Sequence, residues 1–166
     1  MSVTVTWKEF NGASGSHTEN TLTVLNFGNA DVVDLSPTTY PIAAGANSYD
    51  KYFCAVFSGS FTQISNLKFW LASGSYVTGE EVSFTGSIGY STPSTVDNGD
   101  AAVVTAQPSL PNIAVPHFPP NGPEGTLSGP SNGEYTALIR MQLQTTSSSP
   151  AGAVNSKVFA LTYDRQ

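Results

Sequence analysis

Two histidines, one cysteine and a scatter of carboxylates have the most chemical reach in this 166-residue chain. His17 lies in a polar stretch and His117 in a proline-rich one. A hydrolase needs a nucleophile, a base and a group that orients the base. Neither a Gly-x-Ser-x-Gly elbow nor another recognisable nucleophile motif supplies a starting point. Two histidines and one cysteine do not fill a closed four-ligand zinc site. The acidic turn Asp97-Asn98-Gly99-Asp100 lacks the spacing of a calcium-binding EF-hand loop and reads as a solvated turn. Glu80 and Glu81 are neighbours at a strand start, so their side chains point to opposite faces and do not pair as acid and base. One of them caps the preceding turn or blocks edge pairing. The expectation is a protein that is not an enzyme, with no cofactor and no metal.

Aromatic residues offer a second kind of chemistry. Trp7 and Trp70, with Tyr76 and Tyr90, are candidates for stacking on a sugar ring, as a carbohydrate-binding module would use them. For both tryptophans a place in the core or at an interface is the preferred reading.

These side chains must be held by strands. From Tyr52 to Phe57 both alternation registers are apolar, which requires cover on both faces and marks a central strand. Cys54 lies inside this run and reads as a small buried hydrophobe. After Ser58-Gly59-Ser60, Leu67, Phe69 and Leu71 share one face while Lys68 and Trp70 share the other. Val3, Val5 and Trp7 alternate with Thr4, Thr6 and Lys8 in a first strand. A strand is also expected from Leu22 in LTVLNFGNADV, ending at Gly28-Asn29, a pair suited to positive φ. Val82, Phe84, Ile88 and Tyr90 are expected on one face, with a bulge or a close backbone approach at Gly86 and Gly89. Tyr135 to Leu143 and Val158 to Tyr163 are expected to form a terminal hairpin. No stretch has a convincing helical period. The expected fold is all-β: one domain over residues 1–166, a two-layer antiparallel β-sandwich, immunoglobulin-like or jelly-roll-like.

Between Gln107 and Pro130 seven prolines exclude a helix or a central strand. The same stretch carries Leu110, Ile113, Val115 and Phe118, which a purely solvated linker would lack. A long proline-rich arm lying in a groove satisfies both facts, the groove belonging to its own domain or to a neighbour. With Trp7 and Trp70 these four residues are the interface candidates.

Charged residues make up 11% of the chain, against about a quarter in ordinary domains. Net charge is −6 and the six basic residues do not cluster, so no electrostatic footprint for nucleic acid is present. No apolar run approaches the ~20 residues that span a membrane. The N-terminus begins directly with strand alternation, and export by an N-terminal signal is not expected.

The stretch LTVLNFGNADV, and the end of the chain where Ser149-Pro150-Ala151-Gly152 leads to VFALTYD, resemble immunoglobulin-like sandwiches. From about Ser65 onward the chain resembles small structural proteins of tailed bacteriophages, on ISNLKFW, YVTGEEVSFTGSIGYSTP and YTALIRMQLQTTSSSPAGAVNSKVFALTYD. The resemblance implies a head decoration, or cement, protein made in the host cytoplasm and placed on the outer capsid surface of the virion. Its partners would be the major capsid protein and further copies of itself, with a trimer the assembly the resemblance implies. A tail, neck or fibre component is the nearest alternative, and a glycan-binding module the more distant one. That family is defined by overall pattern, so no catalytic positions carry over.

Overall fold

The computed structural model describes residues 2–87, 89–97, 102–103, 113–114, 126–128, 134–135, 138–150 and 156–166. Among them there is no helix, and every strand pairing is antiparallel. The strands are β1 (Val3–Asn11), β2 (Thr18–Thr21), β3 (Lys51–Gly59), β4 (Gln63–Ser73), β5 (Glu80–Ser87), β6 (Ala102–Val103), β7 (Ile113–Ala114), β8 (Thr126–Ser128), β9 (Glu134–Tyr135), β10 (Leu138–Thr145) and β11 (Val158–Arg165). A seven-stranded sheet runs β2-β1-β3-β10-β5-β6, with β9 also on β3. A four-stranded sheet runs β11-β4-β7, with β8 also on β4. Their inner faces share one core, an all-β arrangement consistent with a β-sandwich.

Strand β3 is central, as its doubly apolar sequence requires. Phe53, Ala55 and Phe57 face the four-stranded sheet and pack with Ile139, Met141, Val82 and Phe84 of their own sheet. Phe69 of β4 stacks on Phe84 at 5.5 Å and on Phe159 of β11 at 5.8 Å, so the two layers interlock through rings. Tyr52 and Cys54, on the outer face of β3, are covered with Phe10 by Tyr90 and Leu138.

Several elements differ from the sequence expectation. β10 and β11 do not form a hairpin, because β10 pairs β3 and β5 while β11 pairs β4 in the other sheet. Residues 22–29 form no strand. Leu22 N–H still donates to Trp7 O of β1 at 2.9 Å, and beyond it the backbone bonds to loops, Asn29 N–H to Tyr40 O at 3.0 Å and Tyr49 N–H to Gly28 O at 3.0 Å, while Leu22, Leu25 and Phe27 pack on the core. Gly28 is required there for close approach, since a Cβ would lie 2.6 Å from Tyr40 O. Gly86 pairs Ile139 in regular register, without a bulge. The irregular strand is β4, whose register against β11 shifts between Leu71 and Ser73 and again at Asn66, whose φ is 53° and whose Nδ2 donates to Asp164 at 3.2 Å. The shift at Asn66 turns Ile64 back to the core side shared by Leu67. Tyr90 packs on the outer cluster with Tyr52 and not beside Val82 and Phe84, and Ile88 lies outside the described residues.

At one end of the inner layer charge replaces hydrocarbon. Lys51 Nζ donates to Glu9 Oε1 and, at 3.0 Å, to Val32 O. Asn11 Nδ2 bridges Glu9 at 3.0 Å and Asp31 at 2.9 Å. Both ion-pair side chains are nearly inaccessible, at 2% and 3% exposure, so removing one leaves the other charged and desolvated. Lys51→Met is expected to cost roughly 3–5 kcal/mol in urea unfolding, and Lys51→Met with Glu9→Leu distinctly less.

Candidate functional site

No hydrogen bond joins His17 to a carboxylate or hydroxyl among the described residues. The ring instead stacks on Tyr90 at 4.6 Å, and Tyr90 in turn meets Tyr52 at 4.9 Å. Burial, followed by the nearby Asp31 charge, pushes the Tyr90 hydroxyl well above its ordinary range. His117 lies outside the described residues. Cys54 is 1% exposed, and burial pushes its thiol up to about 12, the opposite of what a thiolate nucleophile needs. No group of three or more His, Cys, Asp or Glu side chains that could hold a metal ion occurs among the described residues. None of the helices that would be long and apolar enough to cross a membrane is found there either.

The remaining buried charges fasten loops. Glu80 accepts from Val77 N–H at 3.0 Å and from Lys157 Nζ at 2.9 Å, so it caps the turn before β5 and ties down the entry to β11. Glu81 is exposed. Lys157 also lies 5.4 Å from the centre of the Tyr76 ring. Gln142, fully buried on the outer face of β10, donates to Ser48 O at 3.1 Å and Val96 O at 3.2 Å, pinning two loops to the sheet.

What the structure does offer for binding is a cleft of about 290 Å³ on the side where both sheets end. Trp7 of β1, Phe53, Phe69 and Phe159 line it, and Leu22 and Leu25 fold over it. Val24 and Val158 stand at its lip, 58% and 53% exposed. The Trp7 ring meets Phe53 edge-on at 5.8 Å, which fixes one wall. Thr23 and Lys157 line the cleft too, so apolar walls meet polar groups, as in sites that take a side chain or a small ligand. The cleft depends on the chain leaving β1 after the Leu22 N–H bond to Trp7 O at 2.9 Å, which strand periodicity alone did not disclose.

The interface candidates are not gathered in one place. Trp7 lines the cleft. Trp70 is on the opposite face of β4 from Leu67, Phe69 and Leu71, half-buried, and its Nε1 is shielded from water without a hydrogen-bond partner among the described residues. Ile113 lies in β7, which pairs β4, though its side chain falls outside the described residues. Leu110, Val115 and Phe118 lie outside the described residues altogether. Within 107–130 the two described stretches, β7 and β8, both pair with β4 of the same chain. Comparison with protein-family models, with curated proteins and with solved structures yields no match.

Cys54 provides a direct check on this picture of the interior. Its folded value is raised from the ordinary 9.0 to about 12, so the stability it contributes is complete below pH 9 and is lost as pH rises toward 12. The stability gap between the wild type and Cys54→Ala in urea unfolding is therefore expected to narrow over that window. Disulfide-exchange reagents should reach the thiol only at the rate of unfolding.

Proposed function

We propose that this chain is a non-enzymatic structural component of a bacteriophage virion, a head decoration protein that binds the major capsid protein and stabilises the shell. The observation that supports the reading is the cleft lined by Trp7, Phe53, Phe69 and Phe159, with two exposed valines beside it; Lys157 is the one charged side chain among its lining residues and is held by Glu80. Shell stabilisation needs buried area across capsomer boundaries, and anything that binds the closed shell better than the ruptured one raises its rupture temperature. Self-association belongs to this reading, as does an immunoglobulin-like or jelly-roll-like strand arrangement with residues 107–130 as a contact arm. The acidic, weakly charged composition suits a surface facing away from packaged DNA.

A glycan-binding role is the second reading. It is favoured by one observation, the half-buried Trp70 ring on the face of β4 opposite Leu67, Phe69 and Leu71, an aromatic surface on which a sugar ring can stack. A tail, neck or fibre position would use the same surfaces in a different part of the particle.

Purified shells lacking this protein give the test. Adding it back should produce saturable binding at a stoichiometry that matches lattice positions, together with a higher rupture temperature. Val24→Asp, or shortening of residues 107–130, should weaken both. Shells that neither bind the protein nor gain stability contradict the decoration reading. Glycan binding lost in Trp70→Ala, with the fold intact, supports the second one.

A further inference from the structure

We propose that Lys51 and Asn11 join through their side chains in an amide bond, made by the chain itself with Glu9 as the proton carrier, which ties β1 to β3 covalently. The three side chains meet at the end of the inner face where hydrocarbon gives way to polar groups. Phe10 pairs with Tyr52 and Glu9 with Phe53, so the same register carried one step further sets Asn11 opposite Lys51. Residues so opposed have Cβ atoms about 4.5–5.5 Å apart and point to one face of the sheet, within easy reach of a lysine side chain. Glu9 precedes Asn11 by two positions on the same strand and shares that face. One of its oxygens, Oε1, accepts from Lys51 Nζ and also from Asn11 Nδ2, the latter at 3.0 Å. The nitrogen that would attack and the nitrogen that would leave thus touch the same carboxylate oxygen.

All three side chains are buried. Water that would hydrate the ammonium or compete for the amide carbon is kept away, and fixed neighbours replace the encounter that a free amine and a free amide would need. Further contacts aim the amide. Asp31 Oδ1 accepts from Asn11 Nδ2 at 2.9 Å, and Asp31 Oδ2 accepts from Gly12 N–H at 2.7 Å. The second contact occupies the backbone nitrogen that, in an Asn-Gly pair, is the competing nucleophile for the same carbon. Asn20 Nδ2 donates at 3.5 Å to Asn11 Oδ1, the oxygen on which negative charge develops during attack.

The reaction balances without an oxidant or a cofactor. Lys51 Nζ passes one proton to Glu9 and, as the free amine, adds its electron pair to Asn11 Cγ while the carbonyl pair moves onto Oδ1. Glu9 gives that proton to Nδ2 and takes a second one from Nζ. The Oδ1 pair then re-forms the carbonyl, the Cγ–Nδ2 bond breaks with its pair on nitrogen, and ammonia leaves. What remains is a neutral amide between Nζ and Cγ beside a neutral Glu9 carboxyl group. A buried ion pair is exchanged for two uncharged groups, which a desolvated site favours, and the escape of ammonia draws the step forward. The link is independent of the place proposed for the protein in a virion.

Intact mass spectrometry of the purified full chain, denatured before measurement, tests the bond. The wild type should weigh less than its sequence requires by one ammonia, about 17 Da. Trypsin should fail to cut after Lys51, and the peptide spanning residues 9–68 should carry the loss. Lys51→Arg and Asn11→Ala should each have the full mass of their own sequences, since the first removes the amine and the second the amide. Glu9→Gln, which keeps the shape but not the proton carrier, should do the same. Circular dichroism verifies the fold of each variant, and Asn11→Ala, which keeps the ion pair, decides the matter if Glu9→Gln does not fold. A folded wild type at its full sequence mass overturns the proposal. A cyclic imide between Asn11 and Gly12 loses the same ammonia but leaves Lys51 open to trypsin and persists in Lys51→Arg, and that result overturns it as well.

Discussion

A strand that is apolar on both faces has to be covered twice, and the rest of this molecule follows from covering β3. On the inner side Phe53 and Phe57 are met by the four-stranded sheet, through Phe69 and through Tyr163, whose ring lies edge-on to Phe57 at 5.0 Å. On the outer side Tyr52 and Cys54 are covered by Phe10 and by the chain that leaves β5, with Tyr90 as its anchor. Where hydrocarbon runs out at the N-terminal end of β3, Lys51 takes Glu9 and Val32 O, and Asp50 accepts from Ser94 N–H at 3.2 Å. Polar side chains therefore hold loops against the strand and are occupied in doing so.

This division of labour explains where surface is left over. Residues 22–27 commit Leu22, Leu25 and Phe27 to the core and, past the Leu22 N–H bond to Trp7 O, form no strand. Their irregular path leaves a cleft beside Trp7 and exposes Val24. On the facing sheet, β11 has a neighbour on one side only among the described residues, and its Phe159 lines the same cleft as Trp7.

Period-two alternation disclosed most of the strands and the inward residues of β1, β4, β5 and β10, because burial of one face leaves its mark locally. It disclosed the centrality of β3 for the same reason. Which strand joins which sheet is a non-local matter, and the apparent hairpin of β10 and β11 shows it: adjacency in sequence was no guide once the chain crossed between layers. Asn66 also escaped notice, since one residue with positive φ realigns Ile64 without altering the surrounding composition. The Glu9–Lys51 pair was invisible because both residues look like ordinary surface charges until the fold buries them. Of the candidate contacts, Trp7 was found by its residue type, whereas Val24 owes its significance to neighbours distant in sequence.

The proposed place of this protein is the head of a virus particle. Quantitative mass spectrometry of purified particles, with heads and tails separated, measures this most directly. The account predicts that the chain is found with the heads at a copy number comparable to that of the major capsid protein. A chain confined to tails, present in a few copies per particle, or missing from particles altogether would contradict it.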